Sequence, residues 1–164
     1  MSLNVENLFV KCDDHNKVAE LVDAYWRNPL PAAQPDLGLP SSFELLLAKE
    51  TKRKLAISPP RDGWTALVES KEVVDFSLAK ALSEKLDTTV LIVQVAEGSG
   101  MAGYASATRG QVLESKFNEQ DEDPVATVRG VLRKYKVPFD VILFREAVQR
   151  TSEGWSLKAK KVNP

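Results

Sequence analysis

The sequence has little of the chemistry from which most catalytic and metal sites are built. Its 164 residues include one cysteine, Cys12, and one histidine, His15. A lone cysteine excludes a disulfide within the chain, and a lone histidine excludes a metal site built from several histidines. The sequence therefore predicts no metal site and no cofactor, and it leaves few residue types for catalysis.

Charge of one sign and long apolar runs are also missing. The 22 basic and 23 acidic residues nearly cancel, so the chain lacks the positive field that holds a nucleic-acid backbone. The apolar run of residues 89–93 has the length of a strand, whereas a membrane helix needs about 20 such residues. The start of the chain lacks the basic and apolar segments of a secretory signal. We therefore expect a cytoplasmic protein with no nucleic-acid and no membrane partner.

The residues that are present suit one globular domain spanning 1–164. Hydrophobic residues make up 43% of the chain, which is enough for a core at this length. Apolar side chains at helical spacing behind aspartate caps predict helices that begin at residues 13–14, about 75, and 123. Residues 29–42 are rich in proline and predict an extended connection. Alternating or β-branched segments predict nine strands, at residues 7–12, 43–49, 54–58, 64–69, 88–95, 101–107, 111–117, 140–145 and 155–161.

The order of these elements predicts an α+β fold with a mixed, largely antiparallel sheet and about three helices. Residues 88–95 are apolar on both faces, which predicts the centre of the sheet, reached from residues 64–69 through a βαβ connection. Glycine-containing turns predict that residues 88–117 form a three-stranded meander. Between Trp64 and Arg145 the order favours a ferredoxin-like plan with added strands.

The candidate catalytic site is the segment that brings Cys12 and His15 together in sequence. A thiol beside the first turn of a helix can have a lowered pKa, because the free amides favour the thiolate. Against this, the carboxylates of Asp13 and Asp14 raise the pKa of a thiol, and consecutive residues at a strand-to-helix corner seldom point toward one substrate. The alternative is a structural role for both residues.

The candidate binding residues are Trp64, Tyr104, Arg109 and Trp155. Residues 101–107 are mostly small, which favours close approach by another element. Either a helix or the proline-rich connection packs there, or a shallow groove for a ligand or peptide remains, with Tyr104 and Arg109 at its rim. The two tryptophans begin predicted strands, where they anchor an interface or close the end of a core.

Several short motifs between Gly63 and Phe117 are structural in character. They are Gly-Trp-Thr at 63–65, Leu-Ser at 82–83, Thr-Val-Leu at 89–91, a tyrosine and a glycine at 104 and 110, and Leu-Glu at 113–114. In these motifs the segment resembles a family of small bacterial proteins that has no assigned activity. The resemblance covers about a third of the chain and implies no functional residues.

The combination of a full core and few reactive residues favours a non-enzymatic protein-interaction or regulatory domain. Its partner would be another protein, or a second copy of the chain in a homodimer. Two alternatives stay open, a small-ligand sensor or carrier that uses residues 101–107 as a pocket wall, and an enzyme that uses Cys12 and His15. If the candidate binding residues border one cavity, they favour a binding function. If they are scattered through the interior, their role is to pack the core.

Overall fold

Seven strands form one sheet in the computed structural model of the chain, which describes residues 4–27, 53–70 and 75–160. The strands are β1 Asn4–Val10, β2 Arg53–Ile57, β3 Thr65–Glu69, β4 Thr89–Ala96, β5 Met101–Thr108, β6 Gln111–Asn118 and β7 Ser156–Lys160. They lie in the order β6-β5-β4-β1-β3-β2-β7. Every neighbouring pair is antiparallel. The predicted α+β class is confirmed.

Four helices among the described residues cover the sheet on both faces. They are α1 His15–Arg27, α2 Phe76–Lys85, α3 Pro124–Lys134 and the short α4 Phe144–Val148. Helices α1 and α2 pack on one face, around Leu8, Leu67 and Ile92. Helices α3 and α4 pack on the other, around Phe9 and Leu91. We call these the α2 face and the α3 face.

The predicted helix starts are confirmed by their caps. The side chain of Asp14 accepts a hydrogen bond from the amide of Lys17. Asp75 and Asp123 do the same for the amides three residues later. Such caps satisfy amides that have no partner within the helix, and each stabilises a helix by about 1 kcal/mol. Aspartate before an apolar helical stripe was therefore a reliable signal in this chain.

The ferredoxin-like plan is present, but in a different part of the chain from the one predicted. The order β1-α1-β2-β3-α2-β4 follows that plan, and the four strands lie in the order β4-β1-β3-β2, so each βαβ unit is split by a strand of the other. The plan spans Asn4 to Ala96, not Trp64 to Arg145, because β1 lies between the parallel strands β3 and β4. Strand β1, not β4, is the central strand.

Residues 140–145 were predicted as a strand, and that prediction is wrong. The segment crosses the α3 face without regular structure until α4 begins at Phe144. The buried side chain of Asn7 donates to the carbonyl of Ile142 at 3.0 Å and accepts from its amide at 2.9 Å. These bonds satisfy backbone groups that a strand would share with a neighbouring strand. The predicted hairpin at 149–154 is also wrong, because β7 pairs with β2.

Strand β5 contains the run of small residues at 101–107. Helix α2 approaches it on one face and α3 on the other, and a Cβ at Gly103 would overlap the ring of Phe117. The small side chains therefore make room for close packing on both faces. The predicted strand at 43–49 and the proline-rich connection at 29–42 lie outside the described residues. Within the described ranges, no helix has the length and apolarity needed to span a membrane.

Candidate functional site

A cleft of about 350 Å³ opens on the α3 face at one end of the sheet. At this end β1 and β5 finish while β3, β4 and β6 begin. Three of these strands, β4, β5 and β6, line the cleft, together with the residue that follows β1 and the residue that precedes β3. The described residues that line the cleft are Lys11, Trp64, Thr89, Ser106, Thr108, Leu113, Glu114 and Tyr135. A volume of this size suits a small ligand or a few side chains of a protein partner.

A β-bulge places Leu113 at the rim of the cleft. Ser106 pairs with Glu114 and Ala107 pairs with Val112, so Leu113 has no partner on β5. A bulge re-aims side chains and interrupts regular pairing. Leu113 is 65% exposed, and Leu157 is the other large apolar side chain that is exposed among the described residues. The mouth of a cleft that is lined mainly by polar residue types therefore carries an apolar contact point.

Glu114 is the centre of a hydrogen-bonded cluster on the cleft wall. Its Oε1 accepts hydrogen bonds from Tyr104 Oη and Lys134 Nζ, each at 2.5 Å. Its Oε2 accepts a hydrogen bond from Tyr135 Oη, and Ser106 Oγ lies 3.1 Å from the same hydroxyl. These residues come from β5, β6 and the C-terminal end of α3. The cluster therefore fastens the end of α3 to the sheet beside the cleft.

The three donors keep Glu114 ionised. Hydrogen bonds from Lys134, Tyr104 and Tyr135 lower the pKa of Glu114 to about 2. The hydrogen bond to this carboxylate, with some burial, raises the pKa of Tyr104 to about 12. Burial and then the hydrogen bond to Glu114 raise the pKa of Tyr135. At neutral pH the cluster holds one carboxylate, one ammonium and two neutral phenols, so its charges balance.

The four predicted binding residues do not share one site. Trp64 is 5% exposed and belongs to the core of the α3 face, and it also lines the cleft. Tyr104 donates to Glu114 on the cleft wall. Arg109 lies in the β5–β6 turn, where its exposed side chain pairs with Asp87 at 2.9 Å. Trp155 is 7% exposed and belongs to the core of the α3 face. The structure thus brings Trp64 and Tyr104 to the same region and places Arg109 and Trp155 elsewhere.

Cys12 and His15 contact different partners. The ring of His15 has Nδ1 2.6 Å from the carbonyl oxygen of Ser58 and Nε2 3.0 Å from Ser156 Oγ. Cys12 Sγ accepts a hydrogen bond from the amide of Asp14 at 3.4 Å. Both ring nitrogens therefore tie the start of α1 to the β2–β7 edge of the sheet. Across the described ranges, no group of three or more His, Cys, Asp or Glu residues could hold a metal ion.

Nothing in the sequence indicated that four residues of this region belong to one site. They are Lys11, Glu114, Lys134 and Tyr135. A signal for the bulge was present, because Val112 and Leu113 are adjacent apolar residues in a predicted strand. The Glu114 cluster had no such signal, because its members are up to 31 residues apart, from Tyr104 to Tyr135. Only the packing of α3 against β5 and β6 brings them together.

Comparison of the chain with protein-family models, with curated proteins and with solved structures finds no match. The resemblance of residues 63–117 to a family of small bacterial proteins therefore stays a prediction.

Proposed function

We propose that the protein is a protein-binding module whose interface combines the cleft with the adjoining edge strand β6. Leu113 carries this proposal, because a large apolar side chain that is 65% exposed gains from being covered. Trp64 and Tyr135 lie in the cleft that it borders. Tryptophan and tyrosine are enriched among the residues that contribute most to the binding energy of protein interfaces.

The edge of β6 adds a second mode of contact. Among the described strands, β6 ends the sheet on one side and β7 ends it on the other, and an edge strand presents backbone groups with which another chain can pair. Beyond the bulge, residues 114–118 pair regularly with β5, so this stretch can serve as a template for one more strand. On β7, Lys158 forms an ion pair with Asp23 of α1, and lysine is typical of protected edges.

Affinity capture with two matched variants tests the proposal. Leu113→Asp places a charge at the rim of the cleft, and Leu157→Asp places one on the opposite edge, where the leucine is 45% exposed. We expect the wild-type protein and Leu157→Asp to retain the same partner, or a second copy of the chain, and Leu113→Asp to lose it. Thermal unfolding of all three proteins should be similar, because neither leucine is in the core.

Two results would contradict a protein-binding role at this site. One is a partner that Leu113→Asp retains as well as Leu157→Asp does. The other is a wild-type protein that light scattering shows to be a monomer and that captures nothing under mild conditions.

A small-ligand sensor or carrier is the second candidate, and the cleft volume of about 350 Å³ favours it. Thermal-shift screening against common metabolites separates the two functions, because a ligand that binds only the folded state raises the unfolding temperature. A metabolite that stabilises the wild-type protein and not Lys11→Ala would support this second function. The absence of any such metabolite would argue for the protein partner.

A further inference from the structure

The hydrogen-bond donors of the cleft fall into two groups. Tyr135 gives its one hydroxyl hydrogen to Glu114, so Ser106 supplies the hydrogen in the contact between Ser106 and Tyr135. Both of these hydrogens are used inside the Glu114 cluster. The hydroxyls of Thr89 and Thr108 are 2.9 Å apart. One hydrogen serves that contact, and the other can be donated to a bound group.

Lys11 supplies the one positive charge among the cleft-lining residues that the structure describes. The negative charge of Glu114 is balanced by Lys134, whose Nζ lies 2.5 Å from the carboxylate. Lys11 directly follows β1 and is exposed, and its ammonium makes no hydrogen bond or ion pair with any of the described residues. The cleft therefore offers three ammonium hydrogens and one hydroxyl hydrogen to whatever enters it.

We propose that the cleft receives an aspartate or glutamate side chain of the protein partner, held by the Lys11 ammonium and by the Thr89–Thr108 pair. A carboxylate only accepts hydrogen bonds, and its bond to an ammonium is about twice as strong as a bond between neutral groups. A basic side chain fits worse, because Glu114 already accepts three hydrogen bonds. This inference rests on the proposed protein-binding function and adds the chemistry of the group that is recognised.

The sheet limits how the carboxylate arrives. Thr108 lies on β5, Thr89 lies on β4 and Lys11 follows β1, so these groups are one, two and three strands inward from β6. Neighbouring strands are about 4.8 Å apart, so a side chain of a strand added to the edge of β6 would not reach them. The partner segment therefore crosses the mouth of the cleft on the α3 face, where it also contacts Leu113.

Peptide titration followed by nuclear magnetic resonance tests the inference. The probes are the capped pentapeptide Val-Thr-Glu-Val-Thr, the same peptide with glutamine in place of glutamate, and free glutarate. We expect the glutamate peptide to bind at least about tenfold more tightly than the glutamine peptide, which corresponds to about 1.4 kcal/mol. Its binding should shift the amide signals of the cleft residues Lys11, Thr89, Thr108 and Leu113.

Lysine variants assign the effect to the cleft. Lys11→Ala should abolish the preference for glutamate, Lys11→Arg should restore most of it, and Lys80→Ala, on the helix α2 that covers the opposite face, should leave it unchanged. Equal affinity of the two peptides would overturn the carboxylate assignment. Glutarate that binds as tightly as the peptide without shifting the Leu113 signal would overturn a partner segment as the source of the carboxylate. Binding by none of the probes would overturn this inference, while the capture experiment judges the proposed function separately.

Discussion

Asn7 holds the irregular segment after α3 against the sheet, and its replacement is the most quantitative test of the fold. It is fully buried in the central strand, and its amide group exchanges two hydrogen bonds with the backbone of Ile142, at 3.0 and 2.9 Å. The two residues are 135 positions apart in sequence. Asn7→Ala therefore removes a long-range connection and leaves a buried amide and a buried carbonyl without partners.

The expected cost follows from those two groups. A buried polar group that loses its partner costs about 1–3 kcal/mol, so the pair costs about 2–6 kcal/mol. Ile142 adjoins the half-buried Val141, so water can enter after small rearrangements, and we expect a value of about 3 kcal/mol. For a domain of this size that loss lowers the unfolding temperature by roughly 6–12 °C. It is a large part of the 5–15 kcal/mol by which most domains are stable.

Urea denaturation and thermal unfolding, read by circular dichroism, give the magnitude. Asn118→Ala is the matched control, because Asn118 is half-buried in β6 and makes one long hydrogen bond, 3.4 Å to Asp121. Its loss should cost no more than about 1 kcal/mol. A cost for Asn7→Ala as small as that of the control would refute the role given to Asn7.

Further predictions concern Glu114 and two glycines. Because the pKa of Glu114 in the folded protein is about 2, below its ordinary value of 4.5, its ionised form contributes stability that is present above about pH 5 and lost as the pH falls toward 2. Wild-type protein should therefore unfold at a higher temperature than Glu114→Gln at pH 7, with a difference that shrinks in acid; a constant difference would contradict the cluster. Gly130→Ala, inside α3 with nothing within 4 Å of the added Cβ, should raise the free energy of unfolding by about 0.5–1 kcal/mol. Gly110→Ala, at φ +81° and 3.2 Å from Glu84 Cβ, should lower it by about 1 kcal/mol; a loss of stability for Gly130→Ala or a gain for Gly110→Ala would be incompatible with the geometry.

Local signals predicted much of the fold. Aspartate caps located three helices, because a cap and the apolar stripe behind it lie within a few residues of each other. The Arg109-Gly110 turn located the β5–β6 hairpin for the same reason, and both of its residues have positive φ. Such features depend on neighbouring residues alone, so a single sequence contains them.

Long-range contacts explain what was missed. Residues 140–145 have the composition of a strand, but the side chain of Asn7 satisfies the backbone of Ile142, and no local pattern reports a partner 135 residues away. The plan of the sheet was misplaced because β1 inserts between β3 and β4. Trp64 and Tyr104 were predicted as binding residues from their residue types and their positions in predicted strands. Lys11 and Glu114 become candidate site residues only because the fold brings them beside the other residues of the cleft.

Photo-crosslinking in cells can show whether the cleft and β6 form the interface with a protein partner. A benzophenone amino acid replaces Leu113 at the rim of the cleft in one variant and Leu157 on the opposite edge in another, and irradiated cells are examined for covalent adducts. We expect one discrete adduct from position 113 and none of that mass from position 157. An adduct from position 157 alone, or no adduct from either position, would contradict an interface at the cleft and β6.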